Sequence, residues 1–176
     1  MSAKINVFFI IIGHIKTLKS AGEESLNFSD IFTFFIFPLL VSATGMYSGF
    51  QLNNDFVSIL INFGSIFTAL LFSVLVLIYD QENKLLDKES NGQAVRHIET
   101  KKTILKQLYF NISHCIINSV ILVVFSTAGL IFEKCEILGF SVNTYLLTPI
   151  CMFIALNLVF TILMIVKRMH RLLTSS

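Results

Sequence analysis

The sequence predicts an all-α integral membrane protein. The expected core is a four-transmembrane-helix bundle. A short interfacial helix precedes it, and a cytoplasmic helical hairpin joins its second and third spans. Three observations predict this. Of 176 residues, 55% are hydrophobic and 14% charged, and the mean hydropathy is +0.78, whereas soluble domains carry about 25% charged residues. The charges are clustered, leaving residues 31–50, 56–79, 108–132 and 144–166 without an ionisable acid, Lys or Arg. Each gap approaches or exceeds the ~20 residues that a helix needs to cross a ~30 Å hydrocarbon layer. Finally, of the 13 basic residues only Lys134 falls between spans three and four. The others share one side, which the positive-inside rule makes the cytoplasm. Eight Gly, two Pro and three Cys exclude collagen, a disordered chain and a disulfide-rich secreted domain. The length allows one membrane domain.

The first element lies within residues 1–30. Ile5–Ile12 reads INVFFIII, too short to span. The stretch HIKTLKSAGEES that follows is charged and makes a poor signal-peptide cleavage region. A retained helix in the inner interface or packed under the bundle is expected, the other reading being a mere overhang of the first span. Asn27, Ser29 or Asp30 can cap span one. In that span Pro38 predicts a kink, and Gly45 and Gly49 form a GxxxG pair for close helix packing. Ser65, Ala69 and Ser73 repeat every four residues on span two, as a packing stripe within or between chains. Tyr47, Tyr79, Tyr109 and Tyr145 lie near span ends, where a phenol favours the headgroup layer.

Residues 80–107 form the only sizeable soluble part. DQENKLLDKE continues span two as good helix former, SNG at Ser90–Gly92 is a turn, and helix resumes into span three. Val95, Ile98 and Leu105 share a stripe that Leu85 and Leu86 can face. The hairpin reads as a solvated connector, as a docking surface for a cytoplasmic protein, or as a contact for anionic lipid heads. Its basic residues Lys84, Lys88, Arg96, Lys101, Lys102 and Lys106 are the candidate contacts. Five acidic residues in the same loop speak against direct nucleic-acid binding.

Polar residues inside the spans mark the other candidate site. Asn111, His114 and Asn118 sit at i, i+3 and i+7 on span three, so they share a face. Asn62 lies in span two, and Asn157 lies near the centre of span four, where Pro149 predicts a second kink. Such groups turn inward and find partners, as interhelical glue or as a water-lined path. Residues 167–176 form a basic tail.

Enzyme chemistry has no visible carrier. P-loop, HExxH and Gly-rich dinucleotide motifs are absent. No Asp or Glu lies in a span, which removes paired-carboxylate proteolysis and carboxylate-coupled antiport. Ser113 and His114 are adjacent and point ~100° apart on a helix, a poor nucleophile–base pair. A lone His is no metal ligand set. A non-enzyme without cofactor or metal is expected. Cys115 and Cys151 read as core packing, and Cys135 as an outer-loop thiol able to cross-link chains.

The exit from span two, LLFSVLVLIYDQENKLL, and the entry into span three, LKQLYFNISHCIINSVIL, carry a resemblance. With the arrangement from about Ile31 to Val166, they resemble small four-span membrane proteins of bacterial anti-phage defence systems, of the Kiwa membrane-subunit type. The resemblance implies a homo-oligomeric inner-membrane protein that senses infection at the envelope and docks a soluble DNA-binding partner on its cytoplasmic side. It carries no residue-specific motif, and the N-terminal apolar segment has no place in its pattern. The resulting expectation is a non-enzymatic sensor or scaffold in contact with membrane lipids. The alternatives are a membrane-disrupting pore, with the Asn111–His114–Asn118 face as a wet lining, and an immunity protein against a pore-forming bacteriocin.

Overall fold

A charge-free stretch in lipid becomes a helix because only a helix satisfies its backbone donors and acceptors locally. The computed structural model describes residues 6–18, 27–91, 98–132, 136–137 and 140–174. It contains four helices long and apolar enough to cross a membrane: Phe28–Tyr47, Asn54–Ser90, Ile98–Ile131 and Asn143–Leu172. A shorter apolar helix, α1, covers Phe8–Thr17.

Span one is α2 (Phe28–Ile31), a π-helical turn (Phe32–Ile36) and α3 (Phe37–Tyr47). Asn27 caps it, its side-chain oxygen accepting from the Ser29 N–H at 3.4 Å. Span two is α4 (Asn54–Ser90), capped by Asn53, whose side chain accepts from the Phe56 N–H at 2.8 Å. Span three is α5 (Ile98–Ile131). A two-residue antiparallel ladder follows, β1 (Glu136–Ile137) with β2 (Phe140–Ser141). Span four is a π-helical turn (Asn143–Leu147) running into α6 (Thr148–Thr174). Pro38 and Pro149 each stand two residues after a π turn. A proline lacks the N–H for the usual i−4 bond, and the widened turn just upstream takes up the misfit.

Span two packs on span three, span three on span four, and span four on span one. Spans three and four are therefore interior in this order, and their most apolar windows are 33% and 28% buried, against 22% and 17% for spans one and two. The seam between spans two and three is a heptad. Val57, Gly64, Leu71, Ile78 and Leu85 are buried at intervals of seven, a spacing that keeps one stripe facing its neighbour in a left-handed crossing. Opposite them, Leu105, Ile112, Ser119 and Ser126 are buried at the same interval. Gly64 allows the closest approach, since a Cβ there would stand 3.0 Å from the Ser119 carbonyl oxygen. Thr68, one turn on, meets the Ser119 hydroxyl at 2.7 Å.

The turn after span one is fixed by Gly49, whose φ of +69° suits only glycine without strain. The Phe50 N–H reaches the Gly45 carbonyl (3.1 Å) and the Gly49 N–H that of Met46 (3.2 Å), the paired bonds of a Schellman stop. Leu52 then tucks under the opposite ends of spans three and four. Its carbonyl accepts from Asn143 Nδ2 at 3.2 Å.

Candidate functional site

Helix α1 crosses span three near one end, and its sequence explains how it can. Gly13 lies against the Phe110 ring so closely that a Cβ would stand 2.3 Å from a ring carbon. Phe9 meets the same ring edge-on at 5.5 Å. Phe8 and Ile12 are exposed, and Phe9 is exposed beside its contact with Phe110. His14 and Thr17, three residues apart, occupy the inner face and are buried.

From these two side chains a ladder of polar contacts runs between α1, span three, span four and span one. His14 Nδ1 stands 2.9 Å from Asn111 Oδ1. An amide oxygen only accepts, so His14 donates from Nδ1. The Thr17 hydroxyl lies 2.6 Å from the same Asn111 oxygen and 2.7 Å from the His14 carbonyl, with one proton for the two acceptors. Arg168, on span four, donates from its guanidinium to the Thr17 carbonyl. That carbonyl ends α1, where a cation also meets the negative pole of the helix.

The next rung is a stack. The His14 and His114 rings lie 3.9 Å apart and 9° from parallel. Asn118 Nδ2 then meets His114 Nε2 at 3.1 Å and donates to Asn157 Oδ1 at 3.1 Å. Asn157 Nδ2 donates to the Phe34 carbonyl at 3.0 Å. Pro38, four residues beyond Phe34, has no N–H to offer that carbonyl. The proline of span one thus frees an acceptor that span four takes. Three buried atoms along the ladder have no partner among the described residues: Asn111 Nδ2, His114 Nδ1 and Arg168 Nη1.

Burial holds the His14 imidazole down at about 4. The Asn111 hydrogen bond opposes this and the Arg168 charge adds to it. A neutral His14 suits the face-to-face stack, because two imidazolium rings in that geometry would repel. Among the described residues no group of three His, Cys, Asp or Glu could hold a metal ion. What the arrangement can do chemically is hold α1 on the spans, with its polar contacts to span three centred on one histidine and one asparagine.

The four intramembrane polar residues expected on one face, Asn111, His114, Asn118 and Asn157, are brought together. Their partners belong to the same chain, so the face is turned inward, with Asn111 Nδ2 and His114 Nδ1 left without a partner among the described residues. Of the six basic candidates, Lys84, Lys88 and Lys101 share one groove, and Lys102 and Lys106 do not line it. Lys84 pairs with Asp80 at 2.6 Å, Lys102 with Glu89 at 2.7 Å, Lys106 is exposed elsewhere, and Arg96 lies outside the described residues, as do Val95 and Cys135. Of the GxxxG pair, Gly45 faces Met152 on span four, while a Cβ on Gly49 would meet nothing within 4 Å. Ser65, Ala69 and Ser73 are exposed, and so is Asn62. Their stripe is not a seam within the chain.

Sequence reasoning missed His14, Thr17 and Arg168, and it missed Gly64 with Thr68 as the true close approach. A signal for the first two was present: a His and a Thr three apart in an otherwise apolar helix ask for polar partners. No family model matches the chain, and no curated protein and no solved structure is significantly similar to it.

Proposed function

We propose that the protein is a non-enzymatic, multi-pass inner-membrane scaffold or sensor that docks a soluble cytoplasmic partner through the hairpin formed by α4 and α5. One observation carries this reading. Helices α4 and α5 run past the charge-free stretches without a break and stay packed on each other. Helix α4 has 37 residues, or about 55 Å at ~1.5 Å per residue, against a hydrocarbon thickness of ~30 Å. Leu85, Ile104 and Leu105 are buried in the excess length, and Lys102 bridges to Glu89 across the pair. A rigid, charged projection joined directly to two spans suits a docking platform better than a connector. The basic bias of the same side supports its cytoplasmic placement, with both termini there.

In this reading α1 lies in the inner interface, with Phe8, Phe9 and Ile12 toward the acyl chains. It meets span three at Asn111 and His114, on the same unbroken helix that carries the hairpin. A change in the membrane that moves α1 would act on the base of the platform. The resemblance of the span-two exit and span-three entry supports a place in a bacterial anti-phage defence system. The exposed stripe of Asn62, Ser65, Ala69 and Ser73 supports contact between copies of the chain.

The test is cross-linking in cells from a photoreactive residue at Leu86, which is 47% exposed on the hairpin. One adduct with a soluble protein is expected, lost when residues 84–102 are replaced by a short flexible linker. An adduct and a co-purifying partner that both survive the replacement would sink the docking reading.

A further inference from the structure

The groove where α4, α5 and the end of α6 meet carries two lysines that make no ion pair among the described residues. Its volume is about 270 Å³. Its floor is apolar, with Leu85, Leu105 and Met169, and its rim carries Lys84, Lys88 and Lys101. No carboxylate lines it among the described residues. Lys84 is tied to Asp80, whereas Lys88 and Lys101 make no ion pair among the described residues. We propose that this groove binds an anionic phospholipid, its phosphate on Lys88 and Lys101 and its first acyl carbons on the leucine floor.

The depth of the groove argues for a lipid over a soluble ligand. Leu77 and Ile78 begin it, at the end of the charge-free stretch that closes at Tyr79. Lys88, nine residues on, stands about 13 Å further along the helix axis, and a flexible lysine stem can carry its ammonium about 6 Å back toward the membrane. The headgroup layer of one leaflet is roughly 5–8 Å thick. The rim ammoniums therefore come to phosphate depth by snorkelling toward the membrane, and the apolar floor continues into the hydrocarbon. A ligand that fits has a negative head and a greasy body joined within a few ångströms. An ammonium held near an anionic phosphate makes a charge-assisted bond, and basic residues at this depth favour anionic lipids. The inference rests on the membrane placement proposed above.

The full chain in nanodiscs of mixed phosphatidylglycerol and phosphatidylcholine is released into mild detergent, and retained lipid is measured by native mass spectrometry. Retention of phosphatidylglycerol over phosphatidylcholine by about tenfold is expected. K88Q/K101Q should remove most of that preference and K88R/K101R should keep it, with unchanged thermal unfolding in both. Equal retention of the two lipids, or a preference untouched by K88Q/K101Q, would overturn the proposal. A nanodisc offers both leaflets the same lipids, so this result does not depend on orientation. Labelling of Ser90→Cys by an impermeant maleimide in sealed vesicles of known sidedness reads orientation separately.

Discussion

Span three presents two faces that hold their neighbours by opposite means. Toward span two it offers a mostly apolar heptad, relieved by Gly64, the Thr68–Ser119 contact and the small Ser126. Toward α1 and span four it offers Asn111, His114 and Asn118, each bonded to a polar partner. In lipid an apolar surface gains little by meeting another, so the first face must rely on fit and the second on hydrogen bonds. The first is tolerant of chemistry and intolerant of volume. The second is intolerant of chemistry. Five substitutions and one titration test this contrast.

The largest effect is expected from Gly64→Leu. The new side chain would begin 2.8 Å from Val123 and 3.0 Å from the Ser119 carbonyl. Forcing apart two backbones costs about 3 kcal/mol, seen as a lowered thermal unfolding midpoint in detergent with spans two and three both losing exchange protection. A loss confined to α1 would contradict the assignment of Gly64 to this seam.

Asn111→Leu comes next and nearly preserves volume. It strips His14 Nδ1 and Thr17 of their shared acceptor, at about 2 kcal/mol. Amide exchange over residues 8–17 should rise while span two stays protected. Acid should do the same to the wild type. The docked His14 titrates at about 4, the free ring at its ordinary 6.5. The undocked form thus binds the proton more readily, and docking weakens progressively as pH falls from about 6.5 toward 4. Exchange of α1 that does not respond between pH 7 and 5, after correction for intrinsic rates, would contradict this.

Gly13→Ala probes volume at the polar face, costing about 1–2 kcal/mol through the Phe110 ring. Phe110→Ala should relieve much of it, as a double-mutant cycle would record. Lys102→Ala should do least. Its ion pairs with Glu89 and Glu99 face water, and such pairs contribute under about 1 kcal/mol. Thermal unfolding in high salt should erase even that difference.

The legibility of the two faces differs for the same physical reason. A span announces itself by a long absence of charge, and the stretches 31–50, 56–79, 108–132 and 144–166 fall on the helices within a few residues at most boundaries. The unbroken helix from span two to Ser90 was also readable, because DQENKLLDKE has good helix formers and no breaker. Which stripe of a helix meets a neighbour was harder to read. Small residues at Ser65, Ala69 and Ser73 fit the packing pattern as well as Gly64 and Thr68 do, and only the heptad phase of Val57, Leu71 and Ile78 separates them. Gly45 and Gly49 match GxxxG, yet Gly49 is chosen for a positive φ that spacing cannot reveal. The ladder was half visible. Three of its polar residues share a face of one helix and could be grouped. Their partners His14 and Phe34 lie 97 and 123 residues away from Asn111 and Asn157, and no local pattern encodes a contact of that range.

The central claim is that α1 belongs to the membrane domain, locked to span three by a polar ladder. Hydrogen exchange of residues 8–17 in nanodiscs, wild type beside Asn111→Leu, tests it most directly. The account expects protection of α1 in the wild type, a loss of roughly tenfold or more in the variant for a change of ~1.4 kcal/mol or larger, and unchanged protection in span two. An α1 that exchanges freely in the wild type, or equally in both proteins, would contradict it.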